Sequence, residues 1–253
     1  MGHVGKTVTQ NIVSGATNLN NNVTLGGTTP TLTIGDAGAE DAKLVFDGNA
    51  LDFHIGLDDS ADTLNIGKGS ALGTTTHISC DTNGFVSRPQ TPAVQATKNS
   101  TTQTQTISGS NVYVITGLDS SYGNSHSVNN KSYFDSSTSR FLVPAGTATG
   151  YYFCSLQTIF GIERPSSGTN WGYLGIRKNN TQSGLSNITF AEAYREVVST
   201  SGVATTVWET MNCHGVIQLA EYDYVEPIFG GSDGEDMKIH PGNYTNFSVI
   251  QIA

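Results

Sequence analysis

The chain has 253 residues, a formal net charge of −9, and only 13% charged residues. It holds no basic run, which disfavours nucleic-acid binding, because counterion release needs clustered Lys and Arg. No apolar stretch approaches the roughly 18 residues that span a bilayer, and Met1–Ala16 lacks the charged-then-apolar layout of a signal peptide. The 29 glycines, with abundant Thr, Ser and Asn, suit short strands joined by tight turns. With 10 Phe and 10 Tyr the chain can fill a core, at least in its second half, and an all-β fold is expected. Cys80, Cys154 and Cys213 are too few and too scattered for a disulfide framework, so folding in a reducing cytoplasm is expected.

Residues 1–25 are polar, with isolated apolar positions at Val8, Ile12, Val13 and Val23. Such a segment has no core of its own and orders only against a partner, as an anchor on a larger assembly does.

Residues 26–87 carry a weak repeat of the form apolar-x-Ile-Gly: Leu32-Thr33-Ile34-Gly35, Phe53-His54-Ile55-Gly56 and Leu64-Asn65-Ile66-Gly67. Leu44-Val45-Phe46 is a related strand that ends in the turn signal Asp47-Gly48. Period-two alternation stopping at Gly predicts strand, turn, strand. Strands this short cannot bury a face alone, so they are expected to stack on neighbours or on other chains, and three chains intertwined about one axis would serve.

Arg88-Pro89-Gln90-Thr91-Pro92 punctuates the chain and sets the boundary of a second domain, 92–253. Strands are expected there at Asn111–Thr116, Arg140–Pro144, Tyr151–Phe160, Trp171–Arg177, Ala204–Met211, Gly215–Ala220, Asp223–Phe229 and Phe247–Ile252. Lys178-Asn179-Asn180-Thr181 reads as a hairpin tip, and a short helix or turn is expected around Phe190–Arg195. Eight or more strands without sustained helical periodicity indicate a sandwich or jelly roll.

This second domain resembles the C1q-like head, a trimeric jelly roll shared in outline with tumour-necrosis-factor-like domains. The resemblance is carried by Tyr133-Phe134-Asp135-Ser136-Ser137-Thr138-Ser139-Arg140-Phe141-Leu142-Val143-Pro144 and by Gly150-Tyr151-Tyr152-Phe153. Asn129, Phe134 and Phe141 fall at the family's spacings; Ala145–Thr149 adds about three residues, and Cys154 and Leu156 replace aromatics. Gly215–Leu219, Asp223-Tyr224-Val225 and Tyr244–Ile250 extend the likeness through the C-terminal half. Upstream, the runs Asp36–Ala50 and Asp52–Asp59 resemble a segment of marine phage fibre-type virion proteins. Together these resemblances imply a homotrimer with an extended, intertwined β stalk and a jelly-roll head. They further imply a virion protein assembled in a bacterial host cytoplasm, a short fibre or capsid decoration. Its N-terminal segment would meet another virion protein, and its head a host surface glycan or protein. The alternatives are a capsid- or tail-stabilising scaffold that binds no receptor, and a polysaccharide-degrading fibre.

Candidate chemistry is sparse. Met1-Gly2-His3-Val4-Gly5-Lys6-Thr7 lacks the leading glycine of a phosphate-binding loop. Asp58, Asp59 and Asp62 suggest a calcium loop, although Thr63 and Gly69 stand where an EF-hand requires Gly and Glu. Asp233, Glu235 and Asp236 form a second acidic loop, of which three copies near a threefold axis could share an ion. The bland reading of both is solvated turns that keep strand edges from mispairing. The six histidines show no metal-ligand spacing, and adjacent Cys213 and His214 point to opposite faces of a strand. Paired carboxylates of a glycosidase cannot be assigned without distances, and no enzyme is expected. Trp171, Tyr173, Trp208 and Tyr222 are the head aromatics on which a sugar could stack, with Tyr194 and Tyr244 also in the pool. Core or trimer-axis packing is the competing role for each.

Overall fold

The computed structural model describes residues 22–98, 102–107, 112–119, 128–129, 132–147, 149–165, 167–179, 189–198, 206–232 and 234–253. Most of the expected anchor at 1–25, the tip residues Asn180 and Thr181, and Asp233 lie outside them. Among the described residues every regular element is a strand.

Short alternating runs stopped by Gly and Asp become β1 (Ala42–Phe46), β2 (Phe53–Asp58), β3 (Thr63–Lys68), β4 (Thr76–Cys80) and β5 (Val86–Ser87). They pair antiparallel in chain order as one five-stranded sheet. The intertwining expected of this segment is thus not needed for hydrogen bonding, since each strand finds its pairing partner within the chain. Leu32-Thr33-Ile34-Gly35 matches the repeat but is exposed and forms no strand.

The remaining strands are β6 (Ala93–Lys98), β7 (Gln103–Thr106), β8 (Tyr113–Val114), β9 (Leu118–Asp119), β10 (Val128–Asn129), β11 (Phe134–Asp135) and β12 (Arg140–Leu142). After them come β13 (Gly150–Glu163), β14 (Thr169–Lys178), β15 (Thr189–Val198), β16 (Thr206–Leu219), β17 (Tyr224–Gly231), β18 (Asp236–Ile239) and β19 (Gly242–Gln251). One sheet runs β10-β6-β19-β13-β18-β7, with β16 on the other edge of β13 and β9 beside β6. The second runs β11-β12-β17-β14-β15, with β8 beside β17. Successive long strands alternate between the sheets: β12 in the second, β13 in the first, β14 and β15 in the second, then β16, β17 and β19 in turn. That crossing pattern is a jelly-roll sandwich.

The core lies between these two sheets. Tyr152, Phe160, Phe229, Phe247, Leu156, Leu174 and Ile176 are wholly buried there. Of the aromatics that carry the C1q-like resemblance, Tyr133, Phe134, Phe141 and Tyr152 pack into it, whereas Tyr151 and Phe153 lie on the other face of β13. Phe141 meets Tyr152 at 5.5 Å and Tyr133 at 5.8 Å between ring centroids, and Phe134 meets Phe247 at 6.3 Å. Gly172 is required by close approach, because a Cβ there would fall 2.4 Å from Cε1 of Phe160.

Two sequence expectations need correction. The region around Phe190–Arg195 is neither helix nor turn but part of β15, paired along β14 from Thr169↔Val198 to Arg177↔Thr189. Pairing with a ten-residue neighbour overrides the local propensity of Ala191–Arg195. Ala204–Met211 and Gly215–Ala220 are not separate strands. From Thr206 onward they join as β16, matched to β13 residue by residue through Gly215↔Cys154.

Candidate functional site

The N-terminal sheet has an inverted arrangement. Register places Leu44, Ile55, Ile66 and Ile78 in one cross-strand row. A second row holds Ala42, Leu57, Leu64, Cys80 and Val86, and a third Phe46 and Phe53. All three rows share one face, because residues two apart on a strand point the same way. That face is open: Leu64 is 50% exposed, Phe46 52% and Leu44 45%. The opposite face is polar and covered. There His54 and Asn65 are buried, and His54 Nδ1 lies 2.7 Å from the carbonyl of Gly69 in the loop after β3. Glycine at 67 admits this packing, since a Cβ would collide with the His54 ring.

The acids of the first candidate calcium loop shape turns on this sheet. Asp58 Oδ1 accepts from Ser60 Oγ at 2.7 Å and from the Ala61 amide at 3.2 Å. The Asp59 amide donates to Asp41 Oδ1 at 3.1 Å, and Asp62 sits at φ 51°. In the second loop Asp236 Oδ1 accepts from Thr106 Oγ1 at 2.5 Å, while the Glu235 carbonyl accepts from the Ile107 amide. Among the described residues no group of three or more His, Cys, Asp or Glu is gathered to hold a metal ion.

The head brings some of the candidate aromatics together. Trp171 and Tyr173 lie on β14, and Tyr194 stands opposite Tyr173 on β15. Trp171 stacks on Tyr194 at 5.8 Å and 22°, with Tyr173 6.5 Å from Trp171. Tyr173 is buried, its hydroxyl unpartnered and its pKa raised by that burial, whereas Tyr194 is 62% exposed. Trp208 belongs to a different cluster, edge-on to His240, which meets Tyr244 at 4.8 Å. Tyr222 stands apart, exposed on the turn between β16 and β17 at φ 66°. Tyr194 could be placed only once β15 was known to be a strand, and no sequence signal pointed to His240.

The solvent face of the eight-stranded sheet carries its own apolar row. Val216, Phe153, Ile250 and Ala93 stand side by side across β16, β13, β19 and β6. The next same-face row, His214, Ser155, Ser248 and Gln95, is polar. Cys213 is buried beside exposed His214, and Cys154 is buried in β13; burial pushes both thiols up to about 12. Neither is a nucleophile at neutral pH.

No protein-family model and no curated protein matches the chain. Among solved structures, that of Eiger TNF from S. frugiperda is similar, with a TM-score of 0.43 and 12% identity, over 64% of this chain and 93% of that one. By its own strand order this chain is an all-β protein with a jelly-roll sandwich after an N-terminal meander.

Proposed function

We propose that the chain is a structural virion protein of a phage, a homotrimeric short fibre or surface decoration. In this reading residues 1–25 anchor it to another virion protein, 26–87 form the stalk, and 92–253 form a C1q-like head that contacts the host surface. The observation that carries the reading is the open apolar face of the five-stranded sheet. Leu44, Phe46, Phe53, Leu57, Leu64 and Val86 are each more than two-fifths exposed there, a contiguous apolar patch of the kind that marks an interaction surface. Three copies turning this face to a common axis bury it, and their polar faces then look outward. The row Val216, Phe153, Ile250 and Ala93 extends the same logic to the head. The likeness of Asp36–Asp59 to phage fibre-type proteins and of Tyr133–Phe153 to C1q-like heads supports the same assembly. Threefold presentation of head loops raises a weak single-site affinity by avidity when receptor sites are within reach.

The test is the solution mass of the full chain by light scattering, with and without a chelator. The expected mass is three times 26.7 kDa under both conditions. A mass that falls on chelation would assign the acidic loops to bound ions, and a folded monomer would overturn the reading.

A further inference from the structure

We propose that the outer face of the second sheet, at the Trp171–Tyr194 stack, carries a binding site for a quaternary ammonium group such as that of choline. Register sets Trp171 opposite Glu196, Tyr173 opposite Tyr194 and Gly175 opposite Glu192. Strand alternation puts these side chains on the side of the sheet away from the core, while Leu174, Ala191 and Val197 face into it. Tyr194 is 62% exposed, with Glu192 and Glu196 exposed on either side of it along β15.

The ring pair is held in place by the fold. The Trp171 amide donates to Ser232 Oγ at 2.7 Å, and the Trp171 carbonyl accepts from the Ser232 amide at 2.8 Å. The indole packs against the small apolar cluster around Tyr173 and Ile228, and it also stacks on Tyr194. Rings already fixed lose little freedom when a ligand settles on them, which removes a main cost of binding.

Charge around the rings selects the ligand. The three cations of β14 and β15 already meet carboxylates: Arg177 meets Glu226, Lys178 meets Asp223 and Arg195 meets Glu209. Among the described residues Glu196 meets no cation. Local desolvation, and then the Glu196 charge, raise the Tyr194 hydroxyl pKa, so this carboxylate stands near the ring. Two carboxylates repel an anion, and a neutral ligand covering the rings would leave their charge uncompensated. A quaternary ammonium matches both features, because its methyl groups carry the positive charge and lie against aromatic faces. The site belongs to one chain, on the sheet that does not carry the row Val216, Phe153, Ile250 and Ala93. It therefore depends neither on trimer formation nor on the virion reading.

The experiment is titration calorimetry of the full chain with choline chloride, against sodium chloride at equal ionic strength. A parallel titration uses the uncharged carbon analogue of choline, in which a tert-butyl group replaces the trimethylammonium. Choline is expected to bind, and the analogue about fivefold more weakly. Tyr194→Ala and Glu196→Gln should each weaken choline about fivefold at unchanged melting temperature, whereas Tyr194→Phe, which keeps the ring, should retain it. In Trp208→Phe, which leaves Trp171 as the one tryptophan of the chain, choline should shift the indole emission. No choline heat beyond the sodium control, equal binding of the analogue, or full affinity in both Tyr194→Ala and Glu196→Gln would overturn the proposal. Light-scattering mass on the same samples reads the trimer separately.

Discussion

Glu226 and Arg177 stand opposite one another on β17 and β14, and their side chains meet at 2.5 Å with both buried. Arg140 of β12 adds a second contact to Glu226 at 2.7 Å, and its guanidinium lies 4.3 Å from the Tyr224 ring centroid. The hydrogen bond to Glu226 raises the Arg140 pKa further above its usual value. Desolvating the three charges offsets much of their attraction, yet removing one partner strands the others. Glu226→Gln is therefore expected to cost about 3–5 kcal/mol, read as a lower urea midpoint. Replacing all three by apolar residues of similar volume should cost less.

Ile66 lies mid-row on the open face, between Ile55 and Ile78. Ile66→Asn is expected to change monomer stability by no more than about 1 kcal/mol, because the side chain is already partly in water. On the proposed assembly it should convert trimers to monomers in analytical ultracentrifugation. A trimer that survives this change would place the association interface away from the N-terminal sheet.

Cys154 and Cys213 should resist iodoacetamide at pH 8 in the native protein, since burial pushes both thiols up to about 12. Cys80, half-buried in the apolar row with Leu64, should be alkylated in the Ile66→Asn variant and, if the proposed trimer covers that row, protected in the unaltered protein. Peptide mass spectrometry after timed labelling checks both outcomes.

Gly172→Ala places a methyl group against Phe160 and Ile162 in a closely packed core. Overpacking of this kind costs about 1–3 kcal/mol. The variant should melt lower without a change in far-ultraviolet circular dichroism.

Hydrogen bonds from the Ser137 and Thr138 side chains and the Ser137 amide hold the Asp135 carboxyl below its ordinary 3.8. At Asp223 burial raises the pKa, but the Ala220 amide, Lys178 and Asn179 more than offset it, so the net shift is also downward. A carboxyl depressed in the folded state stabilises it above the unfolded value. That contribution is lost as pH falls through the folded value. Stability should thus decline from roughly pH 4 downward, with a slope reduced by solvent screening. Asp135→Asn should flatten the decline in a pH series of melting temperatures.

Much of the strand content was legible because alternation over a few residues is a local property. Leu44–Phe46, Phe53–Leu57 and Leu64–Ile66 alternate and form strands, with Asp-Gly and Lys-Asn-Asn as turn signals, although Leu32-Thr33-Ile34 alternates in the same way and forms none. Eight or more strands without helical periodicity pointed to a sandwich, and the run from Tyr133 to Phe153 pointed to a jelly roll through its resemblance to C1q-like heads. What stayed hidden depends on pairing between distant segments. Tyr194 joined Trp171 only because β15 pairs with β14, a register that Ala191–Arg195 do not encode locally. Leu44, Ile55, Ile66 and Ile78 became one row only through three separate pairings, and Asn65 became a buried acceptor because a loop folds over its face. The sequence by itself determined which residues alternate and where they must turn. The tertiary structure decided which face each alternation covers, because burial depends on what lies across space rather than next along the chain.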